Sequence, residues 1–184
     1  MAGLVLGALC QIGDRTPWLA AILSDRYRAP GTIILSAIIA LTANYALGAV
    51  GGLMIAPLLA PEARDLLLAL ALMLAGVSAS WRDKAPDRLA NWRLGAFGTS
   101  AIGLAIMVFG DRMQFIAAGL AMRSPLPSLA AVGATIGALA VIVPAIVIGE
   151  AGWVALPRRL MSLASAAILA LAGIIIALRS IALI

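Results

Sequence analysis

The chain has no histidine and a single cysteine, Cys10, among 184 residues. Without imidazole there is no histidine ligand for a metal and no histidine proton carrier, and one thiol cannot close an intrachain disulfide. Charge is also scarce. Charged residues make up 11% of the chain, against about 25% in soluble domains. Any proton chemistry therefore falls to the carboxylates. No nucleophile has a base nearby in the pattern, and no cofactor motif is present, so an enzyme is not expected and no cofactor is called for.

What fills the space instead is apolar sequence: 64% hydrophobic residues and a mean hydropathy of +1.10. Since a membrane-crossing helix needs roughly 20 mostly apolar residues, the turn and charge clusters divide the chain into six candidate spans. They lie at 2–24, 31–58, 65–81, 94–122, 128–152 and 159–182. The runs are continuous and rich in Ala and Leu rather than alternating, which excludes barrel strands. The reading is an all-α membrane protein. The first stretch has no basic region ahead of it and carries Asp14 and Arg15 in its middle, so it reads as a span rather than a signal peptide.

The loops after spans one, three and five hold Arg26, Arg28, Arg82, Lys84, Arg88, Arg93, Arg158 and Arg159, while the opposite side has Arg64, Arg123 and Arg179. The positive-inside rule then places both termini on the non-cytoplasmic side. The net charge of +5 is explained by these loops, and no nucleic-acid partner is expected. Trp81, Trp92 and Trp153 fall at span ends and read as interfacial anchors.

Gly13-Asp14-Arg15 recurs as Gly110-Asp111-Arg112, a shift of 97 residues from Asp14 to Asp111. The same ungapped shift lays Ala20 and Ala21 on Ala117 and Ala118, Pro30 on Pro127, Ala37 on Ala134, Gly52 on Gly149, and Leu72, Leu74, Ala75 and Gly76 on Leu169, Leu171, Ala172 and Gly173. The chain thus divides into a first three-helix repeat (1–81), a cytoplasmic linker (82–93) and a second repeat (94–184). Three is odd, so the second repeat enters the membrane inverted, as in many secondary transporters whose site lies near the midplane where repeats meet.

Charges inside a span are costly and usually functional. Gly13 and Pro17 favour a break in the first span, with Thr16 capping a new half-helix from Pro17; in the second copy only Gly110 offers a break. A crosswise arrangement would place Arg15 near Asp111 and Arg112 near Asp14. Such a cluster would either glue the halves together or exchange an arginine for a cation or proton during transport. Asp14 and Asp111, with oxygens from Gln11, Thr16 and Gln114, are the candidate cation ligands, and Arg15 and Arg112 the charge-pairing gates.

The run Gln11-Ile12-Gly13-Asp14-Arg15-Thr16, with Leu19 to Leu23 and Arg26-Tyr27-Arg28-Ala29-Pro30, resembles the first signature of a family of Mn²⁺/Ca²⁺:H⁺ exchangers. Phe109-Gly110-Asp111-Arg112-Met113-Gln114 resembles its second signature, and Gly133-Ala134-Thr135-Ile136-Gly137 its fifth helix. The family occurs in the Golgi and in bacterial inner membranes and is grouped with the lysine-exporter superfamily. The resemblance covers essentially the whole chain. It implies a secondary transporter that exchanges a small divalent cation for protons in a bacterial inner membrane, with Asp14 and Asp111 as metal ligands.

The chain departs from the family pattern at four positions. Gln11 and Val108 stand where the family has glutamate, and Pro17 and Met113 where it has Gln and Ser. Hard divalent ions take several oxygen ligands, with affinity tuned by ligand charge. The halved carboxylate count therefore predicts weak divalent binding. It also leaves room for a divergent paralogue that carries another solute, or for a non-transporting membrane partner subunit.

Other residues carry smaller expectations. Glu150 pairs with Arg158 or Arg159 or faces headgroups; Asn44, Tyr45 and Thr135 face the cavity or bond between helices; Cys10 packs in apolar surroundings; Trp18 walls the site. Gly48-x-x-x-Gly52 and Gly133-x-x-x-Gly137 permit close helix approach, within the chain or in a homodimer. Membrane lipid is the remaining partner.

Overall fold

The computed structural model describes residues 1–81 and 84–181; Arg82 and Asp83 of the linker and Ala182 at the end of the sixth stretch lie outside them. The described residues form helices α1 (Ala2–Gln11), α2 (Arg15–Tyr27), α3 (Pro30–Ile55), α4 (Pro61–Ser80), α5 (Gly95–Val108), α6 (Arg112–Arg123), α7 (Ser128–Ala155) and α8 (Arg158–Ser180), with a 3-10 turn at Ala56–Leu58 and no strand. The first and fourth apolar stretches are each split in two at their Gly-Asp pair.

Helix ends follow local chemistry. Pro30 and Pro61 open α3 and α4, where a missing N–H removes no intrahelical bond and a fixed φ is already helical. Pro61, with Glu62 in the first turn to meet the positive end of the helix dipole, starts α4 four residues ahead of the expected 65. α2 ends as Arg28 turns left-handed (φ 48°) and closes its N–H on the Ser24 carbonyl at 2.8 Å.

Helices α3, α4, α7 and α8 are each long and apolar enough to cross a membrane, and α5 with α6, bent by 66°, makes a fifth candidate. α1 is short and apolar, while α2 carries Arg15, Asp25 and Arg26. Leu35, Ile39 and Leu47 on α3, Leu70 and Leu74 on α4, Val147 on α7 and Leu171 and Ile175 on α8 are exposed. So much outward-facing hydrocarbon on long helices suits a lipid surround. The protein is an integral membrane protein.

The packing crosses between the halves. α1 and α2 lie on α7, α5 and α6 lie on α3, and α4 lies on α8. Each pair of helices that flanks a Gly-Asp break thus leans on a long helix from the other part of the chain, which brings Asp14 and Asp111 to one interface. In lipid the hydrophobic effect does not drive helices together, and close van der Waals contact has to do so. Small residues supply it. A Cβ on Gly48 or Gly52 would meet the backbone of Gln114 or Ala118 on α6, and one on Gly133 or Gly137 would meet the backbone of α1. Both Gly-x-x-x-Gly pairs therefore seat helices of this chain.

Two peripheral expectations are corrected. Trp153 is 4% exposed and packs with Ala21 and Ala145, because α7 runs on to Ala155 and keeps this residue inside the helix, against α2. It is no interfacial anchor, whereas Trp81 is exposed. Glu150 pairs at 2.6 Å with Arg88 of the linker, not with Arg158 or Arg159. The cause is a break in α7. Gly149 leaves helical geometry (φ 71°), and the Glu150 N–H donates to the Asp25 carboxylate at 2.8 Å, which turns Glu150 toward the linker.

Candidate functional site

The two breaks share one backbone course. At the first, Ile12 is extended, Gly13 is left-handed (φ 81°) and Asp14 is extended; at the second, Phe109, Gly110 (φ 76°) and Asp111 repeat it. The Asp14 N–H bonds to the Gln11 carbonyl at 3.2 Å, and the Asp111 N–H to the Val108 carbonyl at 3.0 Å. A left-handed residue is cheap only for glycine, and in each repeat a glycine occupies that place.

Both acids sit at the N-cap of the helix that follows, where the dipole favours negative charge. They are held differently. Asp14 Oδ2 accepts from the Thr16 hydroxyl at 2.8 Å and the Thr16 N–H at 3.3 Å. The cap is thus Asp14, and α2 starts at Arg15 rather than at Pro17. Pro17 is accommodated inside the first turn, where its missing N–H is one of the groups without an intrahelical partner. Met113 occupies the place of Thr16 in the second copy and offers no hydroxyl, and Asp111 makes no side-chain capping bond. Gln114 braces that break instead. Its Oε1 accepts from the Gly110 N–H at 2.7 Å, and its Nε2 donates to the Asn44 carbonyl at 3.1 Å.

Across the repeats, Arg112 Nη2 donates to Asp14 Oδ1 at 2.9 Å, with side chains 12% and 16% exposed. Its Nε lies 3.9 Å from Asp111 Oδ1, and the Asp111 side chain is 7% exposed. Asp111 Oδ2 also receives the Gln11 Nε2–H at 3.4 Å, and the same nitrogen donates to the Tyr45 hydroxyl at 3.1 Å. Asp14, Asp111, Gln11, Thr16 and Arg112 therefore form one cluster, with Gln114 behind it. Arg15 is exposed at the start of α2, and the contacts of Asp111 are with Gln11 and Arg112. Only the Arg112 half of the expected crossing brings arginine to the opposite acid.

Two buried polar atoms in this cluster have no partner, Gln11 Oε1 and Arg112 Nη1. Such an acceptor and donor cost free energy unless something meets them, roughly 1–3 kcal/mol each. Two cavities approach from different sides. One of about 220 Å³ reaches Gly13 between the end of α4 (Ala79–Trp81) and the start of α8 (Arg158, Arg159 and Ser162). The other, about 700 Å³, runs between α3, α4 and α6 to Gly110, Arg112 and Gln114, and is lined mainly by apolar side chains such as Leu70, Leu74 and Phe115. Trp18, four residues beyond Asp14, carries the Arg158 guanidinium over its ring at 4.1 Å.

Among the described residues no three Asp, Glu, Cys or His side chains come together. Further oxygen ligands for an ion at Asp14 and Asp111 would be the Gln11 amide, the Thr16 hydroxyl and backbone carbonyls at the breaks. Cys10 is fully buried. Thr135 bonds within α7 to the Ala131 carbonyl, and Asn44 donates to the carbonyls of Ala40 and, on α5, Ala105.

Tyr45 bonds between helices, as expected, and its partner is Gln11. Two features escape a reading of the sequence: Asp25 holds the Gly149 break, and Arg26 donates to the carbonyls of Leu89 (2.7 Å), Ala90 and Trp92 (both 3.1 Å), strapping the linker to α2. The alignment of Gly149 with Gly52 marks the first of these positions, and no sequence pattern marks the other.

The match to known proteins covers nearly the whole chain. The family described as Divalent cation/proton antiporter GDT1 matches residues 1–87 and 96–182. A relative from Vibrio cholerae serotype O1, named "Putative manganese exporter", is 33% identical over 147 residues, which is 78% of this chain and 72% of the relative. No solved structure matches. A divalent cation transporter agrees with what the buried cluster offers: carboxylates, an amide, a hydroxyl and a guanidinium. The chain belongs to the GDT1 family of divalent cation/proton antiporters.

Proposed function

We propose that this transporter exchanges Mn²⁺, or Ca²⁺, for protons at a site shared by two inverted three-helix repeats, 1–81 and 94–184. The observation that carries the reading is the meeting of Asp14 and Asp111, each at the break of a span from a different half, around a single buried guanidinium. In this reading α1 with α2 is the sixth span, crossing the membrane with its break at Gly13. The name of the Vibrio cholerae relative favours manganese.

The mechanism follows from the pairing. In the ion-free state Arg112 neutralises Asp14. An arriving divalent ion takes Asp14 and Asp111 together with the Gln11 and Thr16 oxygens, while Gln114 completes the site from behind the second break. Arg112 is displaced from Asp14 and returns when the ion leaves. Protons entering from the other side occupy the carboxylates on the return half of the cycle. Arg15, outside the cluster in this arrangement, gates by charge pairing in another. The two cavities, one at each break, are the two routes of access. The basic loops support a topology with Lys84 and Arg158 in the cytoplasm of a bacterium and both termini outside its inner membrane. Cysteines at Lys84 and Ser124 in a Cys10→Ser background should label from opposite sides.

The direct test is Mn²⁺ and Ca²⁺ uptake into proteoliposomes under an imposed pH gradient. Flux should appear in the wild type and vanish in Asp14→Asn and Asp111→Asn. Equal flux in both variants and the wild type would overturn the site. The large apolar cavity beside Arg112 favours a second reading, passage of an organic solute. Gain of manganese tolerance only on restoring Glu at positions 11 and 108 would support it.

A further inference from the structure

Gln11 and Tyr45 are both fully buried, Gln11 as the last residue of α1 and Tyr45 in the middle of α3. A glutamine amide has two N–H donors and one carbonyl oxygen. Here the nitrogen faces two acceptors, the Tyr45 oxygen at 3.1 Å and Asp111 Oδ2 at 3.4 Å. Both donors are thereby used. The oxygen at the other end of the amide is buried and meets no donor.

Turning the amide over would set its carbonyl against the Asp111 carboxylate, an acceptor facing an acceptor. Asp111 thus sets which end of the amide faces the cluster, and the Tyr45 hydroxyl, bonded to the same nitrogen at 3.1 Å, tethers the side chain in the rotamer that keeps it beside Asp111. The consequence is an oriented, unpartnered oxygen one amide's width from Asp111, in a cluster that otherwise holds two carboxylates. That oxygen is what a hard divalent ion takes as a ligand.

Resting on the exchanger reading above, we propose that Tyr45 is a positioning residue for cation selectivity: it fixes the Gln11 amide so that a neutral oxygen stands where related exchangers carry a carboxylate. Its hydroxyl serves either residue. Toward glutamine it accepts; toward a glutamate at position 11 it donates. A carboxylate presents oxygen whichever way it turns, so orientation matters for Gln11 and hardly for a glutamate. The first repeat alone carries this device, because the shift that superimposes the repeats places Val108 on Gln11 and Ile142 on Tyr45.

The test is a four-way comparison of initial Mn²⁺ and Ca²⁺ flux in proteoliposomes: wild type, Tyr45→Phe, Gln11→Glu and the double variant. Loss of a group that orients a metal ligand typically weakens metal affinity by roughly ten- to a hundredfold. Tyr45→Phe should therefore raise KM for Mn²⁺ about tenfold with little change in kcat. In the Gln11→Glu background the same substitution should leave KM nearly unchanged. A purely structural tyrosine would lower kcat, or the amount of folded protein, equally in both backgrounds. That result, or an unchanged KM in Tyr45→Phe, would overturn the inference while leaving the exchanger reading intact. Absence of divalent flux in the wild type and in Gln11→Glu would overturn both.

Discussion

Replacing Arg112 by glutamine should make the ion-free protein less stable and the ion bind more tightly. The guanidinium holds Asp14 at 2.9 Å, with both side chains largely buried. Opposite charges about 4 Å apart attract by about 4 kcal/mol at an effective dielectric near 20, and removing one partner of a buried pair typically costs roughly 3–5 kcal/mol. Arg112→Gln should therefore lose stability of that order without metal, because Asp14 and Asp111 are left facing each other. A divalent ion supplies the missing charge. In the wild type it must first displace the guanidinium; in the variant it need not. If about half of the 4 kcal/mol attraction is recovered, Mn²⁺ should bind roughly ten- to a hundredfold tighter, at 1.4 kcal/mol per decade. The assay is thermal unfolding of detergent-solubilised protein across a Mn²⁺ series. Stabilisation grows as RT ln(1 + [L]/Kd), so the Tm shift at a fixed Mn²⁺ concentration should be larger in the variant. Turnover should fall, since nothing reclaims Asp14 as the ion departs. A folded variant whose Mn²⁺-induced shift is no larger than that of the wild type would show that Arg112 does not compete with the ion.

Close helix approach gives a paired test. A Cβ at Gly137 would collide with the α1 backbone at Leu4 and Ala8, whereas one at Gly51 meets nothing; Gly137→Ala should cost about 1–3 kcal/mol as overpacking and Gly51→Ala nothing measurable in thermal stability. Equal Tm changes would contradict the packing described. Arg26→Ala removes the donor shared by the carbonyls of Leu89, Ala90 and Trp92. Trypsin should then cut faster at Arg88 and Arg93, and an unchanged cleavage rate would mean that the strap is held by other contacts.

The breaks and the acids were legible in the sequence because glycine at a left-handed position and a charge inside an apolar run each have few physical explanations. The assignment of the cap was less so. Thr16 and Asp14 both cap helices well, and the choice was made by the tertiary pairing that turns Asp14 toward Arg112. The crossing of arginines was half legible for the same reason. Asp14-Arg15 and Asp111-Arg112 are identical as dipeptides, but Thr16 and Met113 differ, so the first acid has a hydroxyl of its own helix to accept from and the second has none. Contacts such as Tyr45 with Gln11 and Asp25 with Glu150 join residues far apart in the chain and have no periodic signature. The early start of α4 at Pro61 is, by contrast, written in the local sequence, where Pro61 and Glu62 suit a first helical turn although Glu62, Arg64 and Asp65 interrupt the apolar run. Arg64 and Asp65 sit in the first turns of α4, where Asp65 meets Arg123 at the end of α6.

The inequality of the two halves bears on how a site with two carboxylates can work. With both acids ionised, Asp14, Asp111 and Arg112 leave one negative charge in excess, too little to hold a divalent ion strongly while the guanidinium stays in place. A transporter gains from this, because an ion must leave as readily as it enters, and affinity beyond what entry requires slows release. Each acid has a tether of a different kind: Asp14 a charged guanidinium, Asp111 the neutral amide of Gln11 with Arg112 farther off. On the proposed mechanism the ion displaces the charged tether and is bound beside the neutral one, whose oxygen it gains as a ligand. Return of Arg112 to Asp14 then expels the ion at no cost in net charge within the cluster beyond that of the ion itself. Duplicated halves that were still identical at Thr16 and Met113, and at Gln11 and Val108, would hold both acids alike and would give neither the displaced cation nor the waiting oxygen a distinct place.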